Sequence, residues 1–201
     1  MVKIIAFDCE FVGGTHVEDL LGRVVIINKN FQVIYDEYVK QKPDEVMNYR
    51  TPITGLTEDS LKSGKCIEKI RYEVQQIFIS ADIIVGHSIH NDLDILGLYP
   101  RNYKIRDTQT YPFFRKVTGL VAPSLSHVTQ KILGVNLKVL RNYRGGVHCP
   151  EEDCQYTLKL YLNVQWYWEE MVRQGQYRYD PDAAKALLEQ YFKLHGKRAG
   201  K

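Results

Sequence analysis

Residues Val2-Lys3-Ile4-Ile5-Ala6-Phe7-Asp8-Cys9-Glu10-Phe11 form an apolar run with two carboxylates set into its far end. A run this rich in Ile, Val and Phe reads as a central strand buried on both faces. Successive side chains of a strand leave opposite faces, so Asp8 and Glu10, two apart, leave the same one. Like charges about 4 Å apart repel by roughly 4 kcal/mol at an effective dielectric near 20. At the end of a buried strand such a pair calls for a cation, and magnesium or manganese prefers hard oxygen ligands of this kind. Two such ions can clamp the attacking and leaving oxygens of a phosphodiester displacement.

Outward from this strand, Gly13-Gly14 are expected to stop it, and strand-like runs follow at Arg23 to Asn28 and Gln32 to Val39, split by Asn28-Lys29-Asn30. An antiparallel three-strand meander is expected. Thr57-Glu58-Asp59 starts a helix, an amphipathic helix covers Ile67 to Ile79, and Ala81 to Val85 is a short buried strand. Helix is expected again near Ile89 to Leu98, and a short strand ends at Asp107. Ser124 caps a helix that runs to Leu133 and stops at Gly134, and Pro150 opens a long helix to about Arg173. Strands first, then strands alternating with helices, give an α/β fold: a mixed five-stranded sheet with helices on both faces. Residues 1–176 are assigned to one domain. Residues 177–201, with a helix near Ala183 to Leu194 and a basic tail at Lys197, Arg198 and Lys201, are read as an appendage of that same domain.

With 44% hydrophobic and 25% charged residues in 201, the balance is that of a globular chain rather than a disordered one. No apolar run approaches the roughly 18 residues of a membrane span, and Met1-Val2-Lys3 does not open a secretory signal, so an intracellular protein without membrane contact is expected. The sequence does not separate nucleus or nucleolus from cytoplasm and sets no oligomeric state. Cys9, Cys66, Cys149 and Cys154 lack Cys-x-x-Cys spacing and suit a reducing compartment. His148, Cys149 and Cys154 lack a fourth ligand at zinc-finger spacing. The net charge of +3 favours a polyanionic partner only if the basic residues cluster.

Further carboxylates follow the first pair. Asp92 ends Val85-Gly86-His87-Ser88-Ile89-His90-Asn91-Asp92, near the start of a helix, and Asp153 lies one turn inside the long helix, five residues after His148. Any one of these acids alone is better read as a surface or capping carboxylate; together they point to a metal site. Phe7-Asp8-Cys9-Glu10-Phe11-Val12-Gly13, Val85-Gly86-His87 through Asn91-Asp92, and His148-x4-Asp153 resemble, in order, the three motifs of the DEDDh 3′–5′ exonucleases. Tyr49-Arg50-Thr51, Thr54-Gly55-Leu56-Thr57 and Arg106-Asp107-Thr108 are similar to the eukaryotic RNA exonuclease branch, which includes ribosomal-RNA-processing and interferon-stimulated members. Phe11 stands where Met is commoner, and Cys149 and Cys154 stand where relatives often have Ser and Ala; neither departure removes a ligand.

The resemblance implies a ribonuclease-H-like fold and two divalent cations, Mg²⁺ or Mn²⁺. Asp8, Glu10 and Asp153 would hold one ion, Asp8 would bridge to the second, and Asp92 would support the site through water. His148 would be the general base, a role its unperturbed pKa near 6.5 suits. Expected substrate contacts are Phe11 and Val12 beside the acid pair, Leu56 as a wedge against the terminal base, His87, and the basic residues Arg141 and Arg144. Each has a plainer alternative: Leu56 as the hydrophobic staple of a helix capped by Thr57, the basic run Lys138-Arg141-Arg144 as a solvated loop, His87 as a half-buried structural histidine. Lys104, Arg106, Arg115 and Lys116 form a second, weaker basic group, and the aromatics from Tyr156 to Trp168 are read as helix packing. The expected partner is nucleic acid, RNA before DNA. A DNA-trimming exonuclease and a binding module that has lost catalysis are the alternatives; the second predicts a missing ligand or histidine, and all five residues are present.

Overall fold

The computed structural model describes residues 2–143, 145–186 and 189 of the 201. Strand β1 (Ile4–Gly14) lies in the middle of the sheet, as its apolar sequence requires. It pairs antiparallel with β2 (Asp19–Asn28), which pairs antiparallel with the edge strand β3 (Val33–Tyr38). On its other side β1 runs parallel to β5 (Ile83–Gly86), and β5 parallel to β6 (Ile105–Asp107). The order β3-β2-β1-β5-β6 is the expected five-stranded mixed sheet, and a sixth, three-residue strand, β4 (Val46–Asn48), pairs with the end of β1.

Gly13 and Gly14 do not stop β1, contrary to expectation: both are buried and pair with β4. The β1–β2 register shifts between Glu10 and Phe11, so a bulge lies directly beside the acid pair. Bulges increase local twist and re-aim side chains.

Helices cover both faces. On one, α3 (Ile67–Ile79) and α4 (His90–Leu96) bury Ile70, Val74, Phe78, Leu93 and Leu96 against Ile5, Phe7, Cys9 and Phe11 of β1. On the other, α5 (Pro112–Thr118), α6 (Leu125–Leu133), α7 (Leu137–Asn142) and α8 (Pro150–Arg173) pack on Ile4 and Ala6. The alternation along β1 therefore sends its odd-numbered side chains to one core and its even-numbered ones to the other. Short helices α1 (Thr51–Thr54) and α2 (Glu58–Lys62) precede α3. Tyr161 and Trp168 of α8 are buried, Trp168 stacked on Tyr111 at 3.9 Å, whereas Trp166 and Tyr167 face out. Tyr177 joins the same core, tying the start of the expected appendage to the domain. Arg144, the basic tail and the far end of the helix expected to reach Leu194 lie outside the described residues. Among the described residues no helix is long and apolar enough to cross a membrane.

Candidate active site

Parallel strands β1, β5 and β6 end along one edge of the sheet, and each acidic motif arrives there. Asp8 and Glu10 continue the face of β1 that carries Ile4 and Ala6 towards α8. Asp153 lies in the first turn of α8, after Pro150, which fills a position where its missing N–H costs nothing. Asp92 lies in the first turn of α4. Glu10, Asp92 and Asp153 are buried, and Asp8 is half-buried.

Two thiols register how the acids converge. Burial pushes the Cys154 thiol up, and the charges of Asp8, Asp153 and Asp92 push it further. The Cys9 thiol, between the first two acids in sequence, is raised by burial, then by Asp92 and Asp8, and hydrogen-bonds to Asp92. Carboxylates from β1, α4 and α8 therefore share one buried neighbourhood. Their hard oxygens suit a divalent cation. Among the described residues, however, no three His, Cys, Asp or Glu side chains are already grouped to hold a metal.

Arg141 of α7 lies on the third motif. Its Nη2 donates to both carboxylate oxygens of Asp153, at 2.6 and 2.7 Å, and its Nη1 lies 3.2 Å from His148 Nε2. His148 Nδ1 is 3.8 Å from Asp153 Oδ2, and the His148 backbone N–H donates to Ile53 O of α1 at 2.7 Å.

The loop that delivers Asp92 is held by Asp107, which the sequence marks only as the end of a short strand. Asp107, fully buried at the end of β6, accepts the N–H of Ser88 at 2.9 Å, of Ile89 at 3.2 Å and of Gln109 at 2.9 Å. Ser88 adopts φ +60°, an uncommon conformation for a residue with a Cβ, and the bond to Asp107 helps fix it. Burial outweighs these donors and pushes the Asp107 carboxyl up to about 6. Thr108 Oγ1 donates to Gly86 O at 3.0 Å and lies 2.9 Å from His87 Nδ1, so Nδ1 carries the hydrogen that closes this chain. At Gly86 a Cβ would come within 2.2 Å of Ile89 Cγ2, which explains the glycine. A second tie joins Asp19 to Arg50 at 2.6 Å and to Asn91 at 3.1 Å, so Asn91 braces α4 against β2. The signal for Asp107 in the sequence was its place at a strand end before Thr108, one position from the turn.

The expected substrate contacts fare differently. Leu56 is 2% exposed and packs with Val12 and Leu61. Thr57 caps α2, so Leu56 and Leu61 occupy the two positions of a hydrophobic staple. Phe11 and Val12 are also buried. His87 is engaged with Thr108, and Arg141 pairs with Asp153 instead of standing in a solvated loop. Arg106, from the second basic group, is buried in a fork with Glu169 at 2.7 and 2.6 Å and is not available to phosphate.

A mixed sheet covered on both faces, with its acidic motifs at the carboxyl edge of the parallel strands, defines a ribonuclease-H-like exonuclease fold. The sequence model of the exonuclease family RNase T matches residues 5–161, and the chain belongs to that family. It is 36% identical over 175 residues to RNA exonuclease 4 of Homo sapiens, covering 86% of this chain and 40% of that one. It is 33% identical over 162 residues to RNA exonuclease 4 of Aspergillus fumigatus, covering 79% and 50%. The chain thus spans about half or less of the length of these relatives. Among solved structures, the RNA exonuclease module of Saccharomyces cerevisiae Pan2 in complex with AAUUAA RNA superposes with a TM-score of 0.64 at 23% identity, over 89% of this chain and 33% of that one. The zinc-bound E. coli exonuclease I complex with single-stranded DNA gives 0.61 at 15%, over 85% and 42%.

Proposed function

We propose that this chain is a metal-dependent 3′–5′ exoribonuclease that releases nucleoside monophosphates from single-stranded 3′ ends. The observation that carries the reading is that Asp8, Asp92 and Asp153, from three separate elements, all act on the one buried Cys154 thiol, with His148 Nδ1 3.8 Å from Asp153 Oδ2. Divalent cations, Mg²⁺ or Mn²⁺, supply positive charge opposite the phosphate oxygens when bound. Asp8, Glu10 and Asp153 would hold one ion, Asp8 would reach a second, and Asp92 would support them through water. His148 takes the proton of the attacking water and must be neutral to do so. Its loop, between α7 and α8, is where a base that approaches only with substrate belongs. RNA is favoured because the relatives at 33–36% identity are named RNA exonucleases. The proposed place of action is inside the cell, in nucleus, nucleolus or cytoplasm.

The test is cleavage of a 5′-labelled single-stranded RNA and its DNA counterpart with Mg²⁺, Mn²⁺ or EDTA, by the wild type, Asp8→Ala and His148→Ala. A ladder shortening from the 3′ end is expected, abolished by EDTA and reduced at least about a thousandfold by either substitution. A DNA ladder faster than the RNA ladder would move the assignment to a DNA-trimming enzyme. No cleavage of either strand with either metal would overturn the enzyme reading in favour of a binding module.

A further inference from the structure

We propose that Arg141 masks the third acidic motif and the base histidine, and that a divalent cation is accepted only as the guanidinium leaves them. The inference rests on the metal-site reading above and adds a residue that controls entry to that site.

The geometry is specific. One guanidinium nitrogen spans both oxygens of Asp153, so it occupies the side of the carboxylate from which both oxygens could face a cation. The other nitrogen points a hydrogen at His148 Nε2. A guanidinium has only donors, so Nε2 must present its lone pair and is not open to a proton from water. Arg141 thus engages the oxygens of the expected ligand and the base nitrogen of the expected catalyst with one side chain. Arginine stays charged at any working pH, so it cannot make room by losing a proton, and it must move.

Its surroundings permit the move. The Arg141 side chain is only 13% exposed, yet its Nε is buried without a hydrogen-bond partner among the described residues. The guanidinium is therefore held through Nη1 and Nη2 alone. It sits on α7, a six-residue helix followed by Gly145 and Gly146, both at positive φ, where an added Cβ would meet nothing within 4 Å. A largely buried ion pair contributes little net stability compared with an apolar packing of similar volume, so stability alone is a weak reason for this one. Once displaced, the planar fork matches a phosphate oxygen pair, which returns Arg141 to the substrate only after a cation has taken Asp153.

The experiment is titration of Mn²⁺ into the whole purified chain without RNA, followed by calorimetry and by the EPR signal of free Mn²⁺, for the wild type, Arg141→Ala, Arg141→Lys and Asp8→Ala. Arg141→Ala is expected to bind Mn²⁺ about tenfold more tightly than the wild type, and Arg141→Lys by an intermediate factor, since an ammonium cannot span both groups. In ¹⁵N-labelled wild type, Mg²⁺ should shift the Arg141 Nε–H signal, a readout that does not depend on the variants folding. If Asp8→Ala loses Mn²⁺ while Arg141→Ala binds it no more tightly than the wild type, and the Arg141 signal stays put, the mask is wrong and the metal site stands. If Asp8→Ala binds Mn²⁺ like the wild type, the metal-site reading and the mask fall together.

Discussion

The two ends of the acidic site are built in different ways. Around Asp92 the backbone from Gly86 to Ile89 is fixed by hydrogen bonds to Asp107 and Thr108, with His87 closing the chain from the side. Around Asp153 the Arg141 guanidinium engages both carboxylate oxygens, and the loop before His148 carries glycines that face open space. Backbone N–H groups bound to a buried carboxylate are not displaced by an arriving cation. A guanidinium on a ligand oxygen is. On the proposed mask, one half of the site is set when the sheet folds and the other is completed on binding.

The sharpest way to break this contrast is Asp107→Ala. It leaves the N–H groups of Ser88, Ile89 and Gln109 without their acceptor in a buried place, at about 1–3 kcal/mol each. A loss of about 4 kcal/mol in unfolding free energy at pH 5 is expected from urea denaturation, together with weaker Mn²⁺ binding because Asp92 loses its fixed approach. A loss under about 1 kcal/mol would mean that Thr108 and His87 hold the corner without Asp107.

Legibility in the sequence cuts across the two halves. β1 and its two acids follow from apolar run and alternation, and both α8 and Asp153 follow from Pro150 and helical spacing. Burial is what the sequence concealed. Leu56 occupies both a plausible wedge position and a staple position, and its packing with Val12 and Leu61 is visible only in the fold. Asp107 is three residues into a short strand, and its partners Ser88 and Ile89 come from a neighbouring parallel strand's loop, which no local pattern reveals. α7, which carries Arg141, has only six residues and too short a pattern to stand out, although Asn136, whose side chain accepts the N–H groups of Lys138 and Val139, marks its start. α5 was missed although Pro112 at its start and Gly119 after its end are the usual pair of boundary residues.

Asp107 also gives the fixed half a pH signature. Its folded carboxyl is raised to about 6 by burial, against 3.8 for the ordinary group. The folded state thus holds this proton more tightly than the unfolded chain. The resulting stability is fully present below about pH 4 and is lost as pH rises through about 6, a change on the order of 3 kcal/mol. Other carboxylates titrate in part of this window, so the measurement is the difference between wild type and Asp107→Asn in urea melts from pH 4 to 7.5. The wild type should lose ground to the variant as pH rises. A difference that does not change with pH would mean the carboxyl titrates near its ordinary value.

The smallest effect compares one substitution in the two halves. Gly86→Ala drives a Cβ to within 2.2 Å of Ile89 Cγ2, a fully buried side chain, so something in the corner must shift, at about 2 kcal/mol. Gly145→Ala meets no atom and faces only the strain of a left-handed backbone at φ +73°, about 1 kcal/mol. The more telling readout is Mn²⁺ affinity. Gly86→Ala perturbs the loop that carries Asp92 and should weaken binding, whereas Gly145→Ala lies beyond the Arg141 fork and should leave the metal-free pair with Asp153 in place, with affinity near that of the wild type. If Gly145→Ala instead weakened Mn²⁺ binding as much as Gly86→Ala, the loop before His148 would have to be as tightly determined as the corner before Asp92. The two halves of the site would then differ in their partners and not in their freedom.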